Sequence, residues 1–200
     1  MRIMVNYGEL TNFFRDKTEV KIIILDNNNI QFCNHYEQYF SLEDSYNNYD
    51  IILVPGCVFA EVAHSKQRLN YLARLPKQLI IPIEEDDYLP LIGYEDAKLM
   101  KLFEYASTPY SSCRAFFKTL KQIIGKTGEI PDDWIADFYE KGFDVKLNVD
   151  GKQLKKNAGE ISILVLSFLL IHHFTCKINQ ITISTSDMAS YYIIIIFLII

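Results

Sequence analysis

The most constraining stretch is Val20-Lys-Ile-Ile-Ile-Leu25, a β-branched apolar run that halts at one carboxylate, Asp26, before Asn27-Asn28-Asn29. It is too short and too uniformly apolar for an amphipathic helix. It predicts a strand buried on both faces, the kind from which parallel sheets are built. Such a strand puts Asp26 at its carboxyl end, the edge where open α/β sheets gather ligands. An Asp before a loop is also ordinary turn chemistry. Asp26 therefore gains meaning only if other acids reach the same edge.

Two more runs repeat the pattern. Asp50-Ile-Ile-Leu-Val54 predicts a second buried strand and stops at Pro55-Gly56; Gln78–Ile83 stops at the acid run Glu84-Glu-Asp-Asp87, which reads as a solvated strand exit. Gly8–Lys17 has the pattern of a short amphipathic helix. Residues 27–49 predict an irregular loop and a helix, with Phe32, Tyr36, Tyr39 and Phe40 as core contacts. Cys57–Arg74 predicts one helix with Val58, Val62, Leu69 and Leu72 inward and Glu61 in its first turns. Strand and helix in alternation are the grammar of a parallel sheet with right-handed crossovers.

That grammar pauses between about residues 88 and 150, where three helical patterns follow one another: Glu95–Ala106, Ser111–Gly125 and Asp132–Lys141, the last with Pro131 at its start. It resumes with Asn157 to His173, apolar nearly all round and so deeply buried. Gln180–Ser184 predicts a fourth strand ending at Thr185-Ser186-Asp187, and Ile193–Ile200 a final one. The expected architecture is a single α/β domain over 1–200. It has a mainly parallel, Rossmann-like sheet flanked by helices, with a helical insertion at about 88–150.

Composition narrows the chemistry. With 50% hydrophobic and 22% charged residues the 200-residue chain is globular, and a net charge of -5 means that any polyanion site is a local basic patch. Cys33, Cys57, Cys113 and Cys176 form no C-x-x-C, which argues against a zinc site or a disulfide framework. Cys57 and Cys176 are expected as buried thiols. The apolar stretches Ile161–Ile171 and Tyr191–Ile200 fall short of the roughly 20 residues that span a bilayer. Met1–Asn6 lacks a signal-peptide core. No membrane association and a cytoplasmic location are therefore expected. There is no Gly-rich phosphate loop, and His172 and His173, being adjacent, do not share a helix face.

Four carboxylates share one kind of address. Asp26 and Asp187 end strands, while Glu61 and Glu160 lie near helix starts. Four acids brought together raise each other's pKa, and a hard divalent ion such as Mg²⁺ relieves that repulsion. Each acid also has an ordinary structural explanation. Asp26 suits a turn, Glu61 a helix N-terminal half, Asn157-x-x-Glu160 a capping box, and Asp187 a cap.

The ordered set resembles the PIN-domain ribonucleases, a family that includes many bacterial toxins of toxin–antitoxin pairs. The matching pieces are Ile24-Leu-Asp26-Asn-Asn28, Ile51–Pro55 followed by Val58-Phe-Ala-Glu61-Val62, Gly159-Glu160 opening an apolar helix, and Ile183-Ser-Thr-Ser-Asp187. They cover residues 20–85 and 155–200. Asn29 departs from the apolar residue usual there, and the insertion exceeds the compact toxins. The resemblance implies that Asp26, Glu61, Glu160 and Asp187 are catalytic acids holding Mg²⁺ or Mn²⁺, with Asn28 and Ser186 as polar supports. It implies hydrolysis of single-stranded RNA. The partners that go with it are an RNA substrate, an antitoxin or inhibitor protein, and a second copy of the chain in a homo-oligomer.

A net acidic RNA enzyme needs basic side chains for phosphate contacts. Arg114, Lys118 and Lys121 follow i, i+4, i+7 spacing on one helix stripe, and Lys155 and Lys156 precede Glu160. These five are the candidate RNA-binding residues. A solvated helix face explains the first three equally simply. Two competing functions use the same residues differently: a catalytically inactive PIN-like interaction module, in which the acids are caps, and a DNA nuclease.

Overall fold

β1 (Val20–Leu25) is the central strand of a parallel sheet, with Ile22, Ile24 and Leu25 wholly excluded from solvent. The computed structural model describes residues 7–39, 41–147, 153–174 and 176–185. Before β1 runs α1 (Tyr7–Phe14); after it come α2 (Asn27–His35), a 3-10 turn (Glu37–Tyr39) and α3 (Leu42–Tyr46). Then follow β2 (Ile51–Leu53), α4 (Gly56–Val62), α5 (Lys66–Ala73), β3 (Gln78–Ile80) and α6 (Glu84–Leu91). The region expected as an insertion holds α7 (Asp96–Ser107), α8 (Ser111–Thr127), α9 (Trp134–Lys141) and β4 (Val145–Leu147), which pairs as a hairpin with β5 (Gln153–Lys155) just beyond it. α10 (Ala158–His173) and β6 (Ile178–Ser184) close the described chain.

Among the described residues the sheet order is β3-β2-β1-β6, all parallel, with Ile24 opposite both Leu53 and Ile183. Both faces of β1 and β2 are buried, so helices flank the sheet, an arrangement consistent with a Rossmann-like fold. The α/β class and the parallel sheet expected from the sequence are thus present. The strand exits align on one edge. Asp26 N donates to Ser184 O at 3.0 Å, and Gly56 N to Pro82 O at 2.8 Å. Residues 26, 56, 84 and 185 therefore follow four neighbouring strands at their carboxyl ends.

α10 is buried from Ile161 to Ser167 because it packs against α4, α6, α7 and β6. The helices of the insertion join the same hydrophobic core. Phe103 stacks edge-on against Trp134 and Phe138, at centroid distances of 5.3 and 5.5 Å, and Trp134 Nε1 donates to Asp96 Oδ1 at 3.1 Å. α8 stops at Gly128, whose φ of 81° is the left-handed conformation that a helix-ending glycine adopts without a Cβ penalty. Among the described residues no helix is long and apolar enough to cross a membrane.

Several expectations are corrected. Cys57–Arg74 is two helices, broken at His64 and capped anew by Ser65, whose hydroxyl accepts from Arg68 N. The asparagines after Asp26 are not loop but the first turn of α2. Phe32 and Tyr36 are 50% and 39% exposed and Tyr39 is 70% exposed, so they are not core contacts. The acid run at 84–87 opens α6, and Glu84 and Asp87 are buried rather than solvated. Cys176 is exposed. The hairpin β4–β5 was unforeseen. The expected strand Ile193–Ile200, along with Phe40, lies outside the described residues.

Candidate active site

Three of the four expected acids line one cavity of about 340 Å³ at the carboxyl edge of the sheet. Asp26, Glu61 and Glu160 form its acidic side, with Asn27 and Asn28 from α2 and Asn157 and Gly159 from the entry to α10. Lys146 of β4, Lys155 of β5 and Lys156 face the same space. Asp187 and Ser186 lie outside the described residues; Thr185, just before them, donates its hydroxyl to Asp26 Oδ2 at 3.1 Å.

Asp26 is 6% exposed, and its two oxygens have separate tasks. Oδ1 accepts from Asn27 N at 2.7 Å, capping α2, while Oδ2 takes the Thr185 hydroxyl. Capping and a place in the acidic cavity thus coexist. Glu61 is half-buried and accepts from Asn27 Nδ2 at 2.9 Å; Asn27 Oδ1 in turn accepts from Arg68 Nη1. That chain fixes which way the Asn27 amide points, and so which Glu61 oxygen is held. Burial raises the Glu61 carboxyl above its ordinary value. The Asn27 bond lowers it, the charge of Asp26 raises it further, and Lys146 and Arg68 pull it back.

Glu160 sits in the first turn of α10, and Tyr110, the residue before α8, donates its hydroxyl to Glu160 Oε2 at 2.6 Å. The capping-box explanation does not hold, since Asn157 has φ of 63° and makes no side-chain cap bond. Gly159 lets α10 approach closely, because a Cβ there would meet Val58 at 3.3 Å and Asp26 Oδ1 at 3.9 Å.

A buried carboxylate braces two of the helices that border the cavity. Glu84, 5% exposed, accepts from Cys57 N at 3.0 Å and from the Ser162 hydroxyl. It thereby ties the end of β3 to the helices that carry Glu61 and Glu160. A Cβ on Gly56 would come within 2.7 Å of Glu84 Oε2, so this closeness requires glycine. Cys57 is no nucleophile: burial and the charges of Glu84 and Glu61 push its thiol up.

The expected basic stripe takes no part in the lining. Arg114 donates to Thr108 O at 2.6 Å, Lys121 pairs with Glu104 at 2.6 Å, and Lys118 is exposed. Lys155 and Lys156 do reach the cavity, joined by Lys146, which was not foreseen. The signal was present in Val145-Lys-Leu-Asn-Val-Asp-Gly-Lys-Gln-Leu-Lys155, an alternating pattern around Asp-Gly, a strong hairpin signature. No local signal marks Tyr110 or Arg68. A larger cavity of about 620 Å³, bordered by α8 and α9, holds mostly apolar side chains and none of the candidate acids.

As they stand, no three His, Cys, Asp or Glu side chains among the described residues are grouped to hold a metal ion. Mg²⁺ does not require such a cage, since it is commonly bound by one or two carboxylates and several waters. The all-oxygen acids and the cavity's volume fit that mode. The raised Glu61 carboxyl fits it too, because a cation there would offset the repulsion from Asp26. No protein-family model, curated protein or solved structure matches the chain.

Proposed function

We propose that this chain is a PIN-like, Mg²⁺- or Mn²⁺-dependent endoribonuclease that hydrolyses single-stranded RNA. The observation that carries the reading is the meeting of Asp26, Glu61 and Glu160 in one open cavity with lysines on its rim. The acids come from the ends of β1, α4 and α10, three chain-distant elements. Turn and capping needs alone give no reason for them to meet. One or two of Asp26, Glu61 and Glu160, with Asp187 as the fourth expected member, would hold the ion, with waters completing its shell. When bound, the ion supplies charge that polarises a phosphodiester and lowers the pKa of an attacking water.

The rest of the chemistry belongs to the side chains. Lys146, Lys155 and Lys156 contact the phosphates on either side of the scissile bond. Asn28 offers an amide beside the acids, and Asn27 and Tyr110 keep Glu61 and Glu160 from swinging into solvent. The attacking group is water, which fits a cavity lined by acids, amides and lysines with no thiol or hydroxyl nucleophile among the described lining residues.

The test is direct. Purified protein with Mn²⁺ or Mg²⁺ is expected to cleave end-labelled single-stranded RNA internally, and EDTA to stop it. If neither RNA nor DNA is cut with either ion and calorimetry finds no cation binding, the enzyme reading is lost. Cutting of single-stranded DNA but not RNA would reassign the substrate.

The lysines carry a separate expectation. Changing Lys146, Lys155 and Lys156 together to Ala is expected to reduce the salt dependence of RNA binding by about 2 in log–log slope, at roughly 0.7 per phosphate contact on a single strand. The same change at Arg114, Lys118 and Lys121 is expected to alter it by less than half as much, because two of those three are engaged with Thr108 and Glu104. Binding titrations between about 50 and 200 mM salt, the span over which phosphate contacts are lost, make the comparison.

A further inference from the structure

α2 and the 3-10 turn that follows it lead away from the acidic cavity with a row of exposed rings that the proposed chemistry does not use. Asn28, in its first turn, lines the acidic cavity and also a neighbouring groove of about 470 Å³ that it shares with Gln31, Phe32, His35 and Tyr36. Asn28, Phe32 and Tyr36 are spaced i, i+4, i+8, so they form one stripe along the helix. Phe32 and Tyr36 have ring centroids 4.7 Å apart, and Tyr36 and Tyr39 6.3 Å apart. His35 meets Tyr36 edge-on at 4.7 Å. An exposed row of rings on a surface helix is unusual, because folding gains nothing from leaving them in water.

What surrounds the rings points to the occupant. Residues 27–36 include no acidic side chain, in a protein with 25 of them, and Glu37, between Tyr36 and Tyr39, is neutralised by its ion pair with Arg74. Asn28 and Gln31 share the groove with the rings, and Asn34 lies between Phe32 and Tyr36 in the chain. Amides both donate and accept, as the edges of nucleobases require. The four residues from Phe32 to Tyr36 advance about 6 Å, as do three residues of a 3-10 turn at about 2 Å each, less than twice the roughly 3.4 Å rise of a stacked strand. A ring can therefore meet successive bases of a strand that has been drawn out of its stack. Lys146, Lys155 and Lys156 line the acidic cavity together with Asn28, the residue that joins it to the ring groove.

We propose that Phe32, Tyr36 and Tyr39 form a base-stacking platform for single-stranded RNA, with the strand running from the lysine rim across the acids and along α2. This rests on the nuclease reading for its choice of ligand, but not for its geometry. It makes the enzyme selective for unpaired nucleotides, since bases in a duplex have no free face to offer. Cleavage then falls at a fixed distance from the nucleotides held on the rings.

The test separates binding from cleavage. Affinity for a 12-nucleotide single-stranded RNA is measured by fluorescence anisotropy in EDTA, where no cleavage occurs. Phosphodiesterase activity is measured with Mn²⁺ on bis(p-nitrophenyl) phosphate, too small to span acids and rings. Phe32→Ala, Tyr36→Ala and Tyr39→Ala are each expected to weaken RNA binding about 5-fold or more, the lower end for loss of one stacked base. Hydrolysis of the small ester is expected to be unchanged. With wild-type protein, 2-aminopurine placed in the RNA is expected to be quenched on binding, and Tyr36→Phe to retain that quenching. Unchanged RNA affinity in all three variants, or wild-type affinity equal for duplex and single strand, overturns the platform. So does a change of oligomeric state in the variants with RNA affinity intact. If the wild type binds RNA through the rings but hydrolyses no phosphodiester, the platform stands and the nuclease reading falls.

Discussion

Asp26→Asn is expected to reduce metal-dependent RNA cleavage about 10³-fold or more, equivalent to roughly 4 kcal/mol of lost transition-state stabilisation, while leaving the melting temperature within a few degrees of wild type. The substitution is isosteric. Its remaining oxygen can still accept from Asn27 N, and Asn caps helices about as well as Asp does. A residue whose only task is to cap α2 would therefore tolerate the change. A residue that must present negative charge to a cation would not. Thr185 meets the other position and must rotate its hydroxyl to accept from the new amide, a small adjustment at a half-buried site. Cleavage assays and thermal melts on the same preparation separate the outcomes. Full activity with full stability would return Asp26 to a turn residue.

Glu84→Ala is expected to lower stability by about 2–4 kcal/mol, because it strands the buried Cys57 N–H and opens a cavity among β3, α4 and α10. For a domain of this size that is about 4–16 °C in melting temperature. Glu84→Gln should behave differently, since both bonds from Cys57 N and Ser162 go to the same oxygen, Oε1, which an amide retains. Burial raises the Glu84 carboxyl above its ordinary value, while the Ser162 and Cys57 bonds lower it and Glu85 raises it. The native protein therefore binds this proton more tightly than the unfolded chain. Its contribution to stability is fully present below the ordinary glutamate pKa and is lost as pH rises through the raised one. Glu84→Gln removes that loss, so its stability relative to wild type should grow as pH rises from about 4.5 towards neutrality. Denaturant titrations at three pH values would show it; a constant difference between the two proteins would contradict a raised Glu84.

The acids were legible in sequence because each sits where a local pattern changes. Ile22–Leu25 is uniformly apolar, so the first charged residue after it had to be at a strand end. Glu61 and Glu160 were placed by the helical patterns that follow Pro55-Gly56 and Asn157. The groups that hold these acids were not legible. Tyr110 lies 50 residues from Glu160, and Ser162 lies 78 from Glu84, distances over which no periodicity carries information. The aromatic row on α2 misled for a related reason. Helical spacing of rings states that they share a face, but not whether anything covers it, and here they remain exposed.

The acid run at 84–87 shows the opposite error. Four consecutive carboxylates suggest solvent, yet a helix beginning there turns Glu84 and Asp87 inward and leaves Glu85 and Asp86 outside. Asp87 Oδ2 accepts from Ile83 N at 2.6 Å, so one inward acid caps its own helix while the other braces its neighbours.

By itself the sequence determined the α/β class, the burial of β1 on both faces and the place of Asp26, Glu61 and Glu160 at the sheet's carboxyl edge, because burial on two faces and a period-breaking charge are written in adjacent residues. Only the tertiary structure decided which lysines face those acids, that Glu84 is buried and braces the helices carrying two of them, and that the rings of α2 and the turn after it stand exposed. Those are properties of how distant surfaces meet, and packing between elements fixes them after local pattern has been used up.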